Sequence, residues 1–396
     1  MSSAPKHAAK WLPIAWFTIF LVGTDLFVIS PLLPLIGREL GYQPASLAVL
    51  VSAFSLTYAI ACPLQGRLAE RCGARGVLLF GIAALAAANA YTALATSLAH
   101  LLASRVLAGF AAASISPMLY ALAAEHAETE RRASRMAQVN SGLVIALGLG
   151  APFGLLVGDI GNWRLVFLGL ASALTLMLPL NMRAWRTAGD PPPRAAQGAA
   201  AAPESLLQAW PHLLTMTAWA SSVYAGYTLL ATALGREHAA DAGHIAALLS
   251  SFGCGAALGV LLGGKIADRI GSWPMVQAAL LAMSAIFAAL AWLWSAASLP
   301  VLAAGLFLLA LSAYGFFPAA QAHAAQHFPR RRTTVLGMMS SALYLGITIG
   351  AAAGAQRFQH AGMPAVLCLS AVLAGLGALA ARAHGRRQGR PSPRIA

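Results

Sequence analysis

Asp25 lies near the middle of an apolar run from Trp11 to Ile36. A hydrocarbon core about 30 Å thick is spanned by roughly 20 helical residues, so this run can cross a bilayer. A charged side chain at such depth costs about 2.5–3.5 kcal/mol on insertion scales and marks a functional site by default. Asp25 is the only Asp or Glu well inside an apolar run. It is expected to carry a proton, and the same charge can recognise a cationic substrate. The alternative is a structural acid held by hydrogen bonds. Pro31 and Pro34 follow it; each removes a backbone donor and frees the carbonyl four residues earlier, on Phe27 and Ser30. Irregular backbone at membrane depth belongs beside protein or a water-filled cavity, which predicts a polar path along this segment. Arg105 is the one basic residue at comparable depth. Counted at 1.5 Å per residue it lies about 10 Å shallower, so direct pairing needs a long reach or a water. It either answers the charge of Asp25 or binds backbone carbonyls.

The elements that must hold these residues are membrane spans. Of 396 residues, 59% are hydrophobic and 10% charged, far below the charge content of soluble domains. Hydropathy predicts twelve spans: 11–36, 47–66, 76–96, 101–123, 136–158, 165–182, 211–234, 244–264, 273–294, 299–321, 333–355 and 363–383. The net charge of +14 does not point to nucleic acid, because the basic residues fall in short segments between apolar runs. Arg38, Arg164, Arg236 and Arg357 lie on one side, and nearly all the other Lys and Arg on the opposite side. That asymmetry places both termini in the cytoplasm, against the anionic inner leaflet of a cytoplasmic membrane. Lys6 and Lys10 before the first run resemble a leader, but its length and Asp25 favour a first span. Cys62, Cys72, Cys254 and Cys368 are scattered, without the spacing of a disulfide framework or zinc site. No metal, cofactor, nucleophile–base pair or phosphate-binding loop is expected, which argues against an enzyme. A linker at 183–210, rich in Pro, Ala and Gly, separates a six-helix bundle at 1–182 from a second at 211–396, which ends in a short basic tail.

The halves repeat at an offset of about 200 residues. Gly66-Arg-Leu-Ala-Glu70-Arg71-Cys-Gly73, continuing Ala-Arg75, follows the second span; Gly264-Lys-Ile-Ala-Asp268-Arg269-Ile-Gly271 follows the eighth. Asn140-Ser141 and Gly150-x-x-x-Gly154 in the fifth span answer Ser340-Ser341 and Gly350-x-x-x-Gly354 in the eleventh. Parallel repeats of this kind mark transporters, with a ligand site near the midplane. The 66–75 loop resembles the loop signature of the major facilitator superfamily, with Glu70 for the usual Asp and Ala74 for the first of two basic residues. Arg105-x-x-x-Gly109 is similar to that family's fourth-helix motif. Gly148-Leu-Gly150-Ala-Pro152-Phe-Gly154 resembles the fifth-helix motif of its antiporters, and Trp163-Arg164-x-x-Phe167 the start of their sixth helix. Gly23-Thr24-Asp25 through Pro34 is similar to the first-helix signature of drug and sugar exporters, which usually carry Glu at the position of Asp25. The resemblance covers nearly all of 11–383. It implies an all-α fold of two pseudo-symmetric six-helix bundles and a monomeric drug:H⁺ antiporter working by alternating access. It also implies that Gly66, Glu70, Arg71, Gly73, Arg75, Gly264, Asp268, Arg269 and Gly271 latch one conformational state.

Fourfold glycine ridges let helix backbones approach closely: Gly150, Gly154 and Gly158 with Pro152, then Gly255, Gly259 and Gly263, then Gly346, Gly350 and Gly354. The resemblance implies that they serve as rocking surfaces between the bundles; static packing within a bundle is the alternative. Tyr58, Asn140, Tyr224, Tyr227, Phe317, Gln321 and Tyr344 are candidates to line a mostly apolar substrate cavity. The histidines near span ends are expected to be solvated or interfacial. The leading expectation is export of a small organic molecule against protons. Proton-coupled uptake and a non-transporting membrane sensor on the same scaffold are the alternatives.

Overall fold

In lipid, a long apolar segment must satisfy its backbone N–H and C=O groups internally, which leaves the helix as its conformation. A computed structural model of the chain describes residues 11–127, 132–186, 206–328 and 332–388. Among these the regular structure is helical throughout. The helices are α1 (Trp11–Leu40), α2 (Val49–Cys72), α3 (Ala74–Ala93), α4 (Leu98–Ala123), α5 (Arg135–Ile160), α6 (Trp163–Ala184), α7 (Trp210–Glu237), α8 (Ala242–Ile270), α9 (Ser272–Leu293) and α10 (Leu299–His327). The element Arg332–Gln388 is parted at Gly362, whose φ of 68° and ψ of −170° suit glycine alone. Residues before it form α11 and residues after it α12.

Ten of the described helices are long and apolar enough to cross a membrane, with Arg332–Gln388 counted once and α7 left out. Parting the long element at Gly362 and adding the 28-residue α7, whose Ser, Thr, Tyr and His residues lower its hydropathy, recovers the twelve predicted helices. One local expectation is corrected. Helix α1 runs unbroken from Trp11 to Leu40 with Pro31 and Pro34 inside it. The irregular turn lies instead in α5, where residues Ala146–Gly150 form a π-helical turn directly before Ala151-Pro152.

Contacts divide the chain into two compact units, Met1–Ala201 with Leu229–Ser250, and Ala202–Thr228 with Ser251–Ala396. Most of the predicted linker, residues 187–205, lies outside the described residues. In the first unit, α5 presses a row of small residues on α1. A Cβ at Gly142 would lie 2.5 Å from the Trp16 carbonyl, and one at Gly23 2.8 Å from Ala146 Cβ. Added to Gly150, Gly154 and Gly158, it would meet Thr24, Val28 and Leu32. In the second unit, Gly255, Gly259 and Gly263 of α8 lie against Phe307, Leu311 and Gly315 of α10. Gly346, Gly350 and Gly354 of α11 face Thr217, Ser221 and Ala225 of α7. The neighbours that exclude a side chain from every ridge thus belong to the same unit, as ordinary packing requires. Rocking surfaces are not needed to explain these glycines.

The two 66–73-like turns fold alike. Gly73 and Gly271 have φ of 83° and 95°, and their N–H groups close on the carbonyls of Ala69 and Ala267. Just beyond, Arg75 Nη2 donates to the Met182 carbonyl of α6 at 3.0 Å, and Trp273 Nε1 to the Ala381 carbonyl of α12 at 3.0 Å. Different side chains make the same tie in each unit.

Because the ridges are closed by backbone atoms or branched side chains, Gly154→Leu and Gly259→Leu are expected to destabilise the folded protein by about 1–3 kcal/mol through overpacking. Thermal melts of the purified variants should fall together with the yield of monodisperse protein. Unchanged melting with lost turnover would instead return these surfaces to a moving interface.

Candidate functional site

The site in the first unit is built on a close approach of α4 to α2. At Gly109 a Cβ would lie 2.3 Å from the Phe54 carbonyl, so only glycine lets the backbones meet. One turn earlier on α4, Arg105 lies over the Phe54 ring, 4.7 Å from its centroid. From there Nη1 donates to Asp25 Oδ1 at 3.1 Å, and Nη2 to the Asp25 carbonyl at 3.3 Å and to Oδ2 at 3.4 Å. Both side chains are fully buried, at 0% exposure. Of the two ways of pairing that the depth count leaves, a long reach or a water, the structure shows the reach, from a helix drawn in by Gly109. The Arg105 Nε has no hydrogen-bond partner among the described residues.

On its other flank, α1 is held by α5. Thr24 turns its hydroxyl back to the Phe20 carbonyl at 2.8 Å, beside Gly150 at the end of the π-helical turn. The carboxylate is thus fixed by packing on both sides, and it is charge-compensated rather than hydrated. A buried pair of this kind is a weak source of net stability, yet removing one partner strands a charge and costs about 3–5 kcal/mol. Chemically, it can hold or exchange a proton only together with a change at Arg105.

The candidate cavity residues divide between the units. In the first, Tyr58 is buried and 6.4 Å from Phe54, the ring beneath Arg105, while Asn140 accepts a 2.8 Å bond from the Tyr120 hydroxyl. In the second, Tyr224 and Tyr227 join a chain of rings through Phe252, Tyr314 and Trp219 to Phe317, with successive centroids 5.5–6.2 Å apart. Trp219 is anchored by donating to the Ala313 carbonyl at 2.7 Å. Tyr344 is buried, and Gln321 is exposed. Sequence reasoning missed Tyr314, Trp219 and Phe252, since nothing in the spacing of residues on three helices shows that their rings meet.

Among the latch candidates, Arg71, Asp268, Arg269 and Gly271 are exposed, and Gly66 and Gly264 have open space beside them. The side chain of Glu70 lies outside the described residues. Arg75 is engaged with α6 of its own unit. A further tie, not foreseen, joins Glu39 at the end of α1 to Arg164 and to Trp163 Nε1, the latter at 2.6 Å. Arg164 also donates to the Ala95 carbonyl at 2.6 Å. The Trp163-Arg164 pair was noted in the sequence, but its acidic partner was not. One expectation about histidine fails: His212 and His323 are buried, at 1% and 8% exposure, not solvated.

Comparison with known proteins supports the same fold. The model of the Major Facilitator Superfamily matches residues 15–235 and 216–395. The uncharacterized MFS-type transporter YceJ of Bacillus subtilis is 27% identical over 90% of this chain and 91% of its own length. The inner membrane transport protein YdhP of Escherichia coli O157:H7 is 27% identical over 93% and 94%. The chloramphenicol resistance protein of Streptomyces lividans is 29% identical over 63% and 64%. A solved bacterial homolog of the human lysosomal transporter Spinster, inward-facing and occupied, superposes with a TM-score of 0.74 at 18% identity, covering 99% of this chain and all of that one. With both halves matched to one transporter family and a helical fold to carry it, this chain is a multi-pass membrane transporter, not an enzyme, and belongs to the Major Facilitator Superfamily.

Proposed function

We propose that the protein exports a small organic molecule, a drug, sugar or metabolite, across the cytoplasmic membrane in exchange for protons. Asp25 is the proton carrier and Arg105 its counter-charge. The observation that carries this reading is the fully buried Asp25–Arg105 pair. An ionised Asp25 is satisfied where it stands. A proton on Asp25 removes one charge and leaves the guanidinium of Arg105 buried without its counter-ion. Arg105 must then find another partner or water, so proton binding drives a structural change at the junction of α1, α2 and α4. Cargo and proton can alternate because each state of the acid demands a different arrangement around it.

The relative named for chloramphenicol resistance supports an exporting direction, as does the antiporter-like run from Gly148 to Gly154. The excess of Lys and Arg on one side supports cytoplasmic termini. The ring chain from Tyr224 to Phe317 supplies apolar area with hydroxyls interspersed, suited to an amphiphilic substrate. The turns at Gly73 and Gly271 are candidate latches, and the transporter acts as a single chain.

In proteoliposomes with an imposed pH gradient, Asp25→Asn is expected to lose proton-driven movement of chloramphenicol by at least about tenfold. Its melting temperature is expected to fall, because the asparagine still accepts from Arg105 but leaves the guanidinium without its counter-ion, so transport is compared per amount of folded protein. Full activity in that variant would remove Asp25 from the proton path, and accumulation along the proton gradient would reverse the assigned direction.

Arg105→Ala is expected to destabilise the protein by about 3–5 kcal/mol, by leaving the aspartate unpaired in a dry site. Combining it with Asp25→Asn should restore much of the stability but not transport. Thermal melts of both single variants and of the double variant read this directly; losses that simply add in the double variant would mean that the pair is not coupled.

A further inference from the structure

The described ends of four helices in the second unit converge on histidines. His212 is in the first turn of α7, His323 and His327 are in the last turns of α10, and His384 is near the end of α12. The rings of His327 and His384 are 6.1 and 5.9 Å from that of His212, and His327 is 4.6 Å from His323. Trp273, at the start of α9, touches three of the rings, 5.2 Å from His212, 4.5 Å from His323 and 5.2 Å from His384. Phe328 covers His212 from the end of α10. At the centre, His212 Nε2 and His323 Nδ1 are 2.8 Å apart. The other nitrogen of His212, Nδ1, is buried without a hydrogen-bond partner among the described residues.

We propose that the His212–His323 pair is a proton-binding site that responds to acidity at this end of the second unit and parts the ends of α7 and α10. The count of ring protons carries the argument. An N–H···N contact of 2.8 Å has room for one hydrogen between the two nitrogens. Two neutral imidazoles supply it, and one added proton goes to an outer nitrogen and leaves the contact intact. A second added proton places an N–H on each side of the gap, which closes the contact to bonding and sets two cations ring to ring. Parted rings accept both protons. The open arrangement therefore binds more protons than the closed one, and lowering the pH favours opening. The ordinary pKa of about 6.5 belongs to the parted rings, so opening gains as acidity rises past that value.

Among the described residues, no carboxylate lies within the cluster to offset the charge. The titratable groups facing the pair are His327 and His384, and Trp273 and Phe328 supply the rest of the wall. Helix α9 carries no charged residue, and those of α7, Arg236 and Glu237, lie at its other end. Arg382 is exposed on α12, and Lys265, Asp268 and Arg269 are exposed at the end of α8. Arg330, Arg331, Arg332, Arg386 and Arg387 have side chains outside the described residues.

The repeat shows that histidine is not needed to close such a corner. About 200 residues earlier, Trp11, His126 and Trp185 occupy the matching places of His212, His327 and His384. There Trp11 and Trp185 pack at 5.6 Å, His126 lies 5.2 Å from Trp185, and Trp185 donates to Asn181 at 2.9 Å. The first unit closes this end mainly with indoles that do not titrate; the second closes it with imidazoles that do. By the distribution of basic loops, this end faces the cytoplasm, which makes cytoplasmic acidity the signal.

The proposal does not rest on Asp25 as proton carrier, and its test keeps the two apart. Full-length transporter labelled with 5-fluorotryptophan gives a ¹⁹F resonance for Trp273, assigned by its loss in Trp273→Phe. Between pH about 7.5 and about 4.5 that resonance is expected to shift in the wild type, and equally in Asp25→Asn. It should move much less in His212→Leu/His323→Leu, which keeps His327 and His384. If that double variant does not fold, His323→Gln retains a hydrogen bond to His212 with one titrating ring fewer and should reduce the shift. A wild-type resonance that does not move with pH overturns the proposal. So does one that moves to the same extent without the two histidines.

Discussion

An aspartate and an arginine meet in the first unit without water, and much of the surrounding packing can be read as the means of keeping them together. Neither charge is tolerable alone at that depth. Arg105 reaches its partner because Gly109 brings α4 onto the backbone of α2 at Phe54, whose ring supports the guanidinium. Asp25 stays in place because α1 is gripped along its length by small residues of α5. Proximity, support and exclusion of solvent come from residues without charge, and the charged pair depends on all of them.

The two units show how one plan accommodates different chemistry. The glycine turns at 73 and 271 have the same backbone conformation, and the ties just after them run to matching carbonyls. Yet one tie comes from an arginine and the other from a tryptophan. Close approach is likewise preserved with the roles exchanged: glycine on α4 faces phenylalanine on α2, while glycine on α8 faces phenylalanine on α10. Among the described residues, only the first unit places an ion pair at such a crossing, and only the second gathers histidines at its end. Duplication has kept the geometry and let the side chains diverge.

What could be read from the sequence follows from how few options lipid leaves. Twelve helices were legible because long apolar runs have no other satisfied backbone, and α7 remained recognisable despite its hydroxyls. Asp25 stood out by rarity, and Arg105-x-x-x-Gly109 by spacing. The distance between the two charges was not legible, because it depends on how closely two helix axes approach and on a flexible side chain. The glycine ridges were visible as ridges, but their partners are a tertiary fact, and those partners lie within each unit. The histidines sat at span ends, where a linear reading finds water. That four such ends meet around Trp273 is decided by the bundle. The prolines of α1 misled for a related reason, since a helix clasped by neighbours can run through a missing hydrogen bond.

The wide turn at Ala146–Gly150 has a consequence for the meshing of α1 and α5. Residues 142, 146, 150, 154 and 158 all face α1, although fourfold steps around an ordinary helix advance by about 40° each. Over that length the row would wander to the far side of the cylinder. A π-helical turn carries each of its residues through a smaller rotation and takes back part of the wander, like a vernier between two scales. Tightening it into regular helix would rephase one end of α5 against the other, by up to about 100° for each residue gained. The grip on α1 beside Asp25 therefore depends on how this turn is wound as well as on which residues lie along the row.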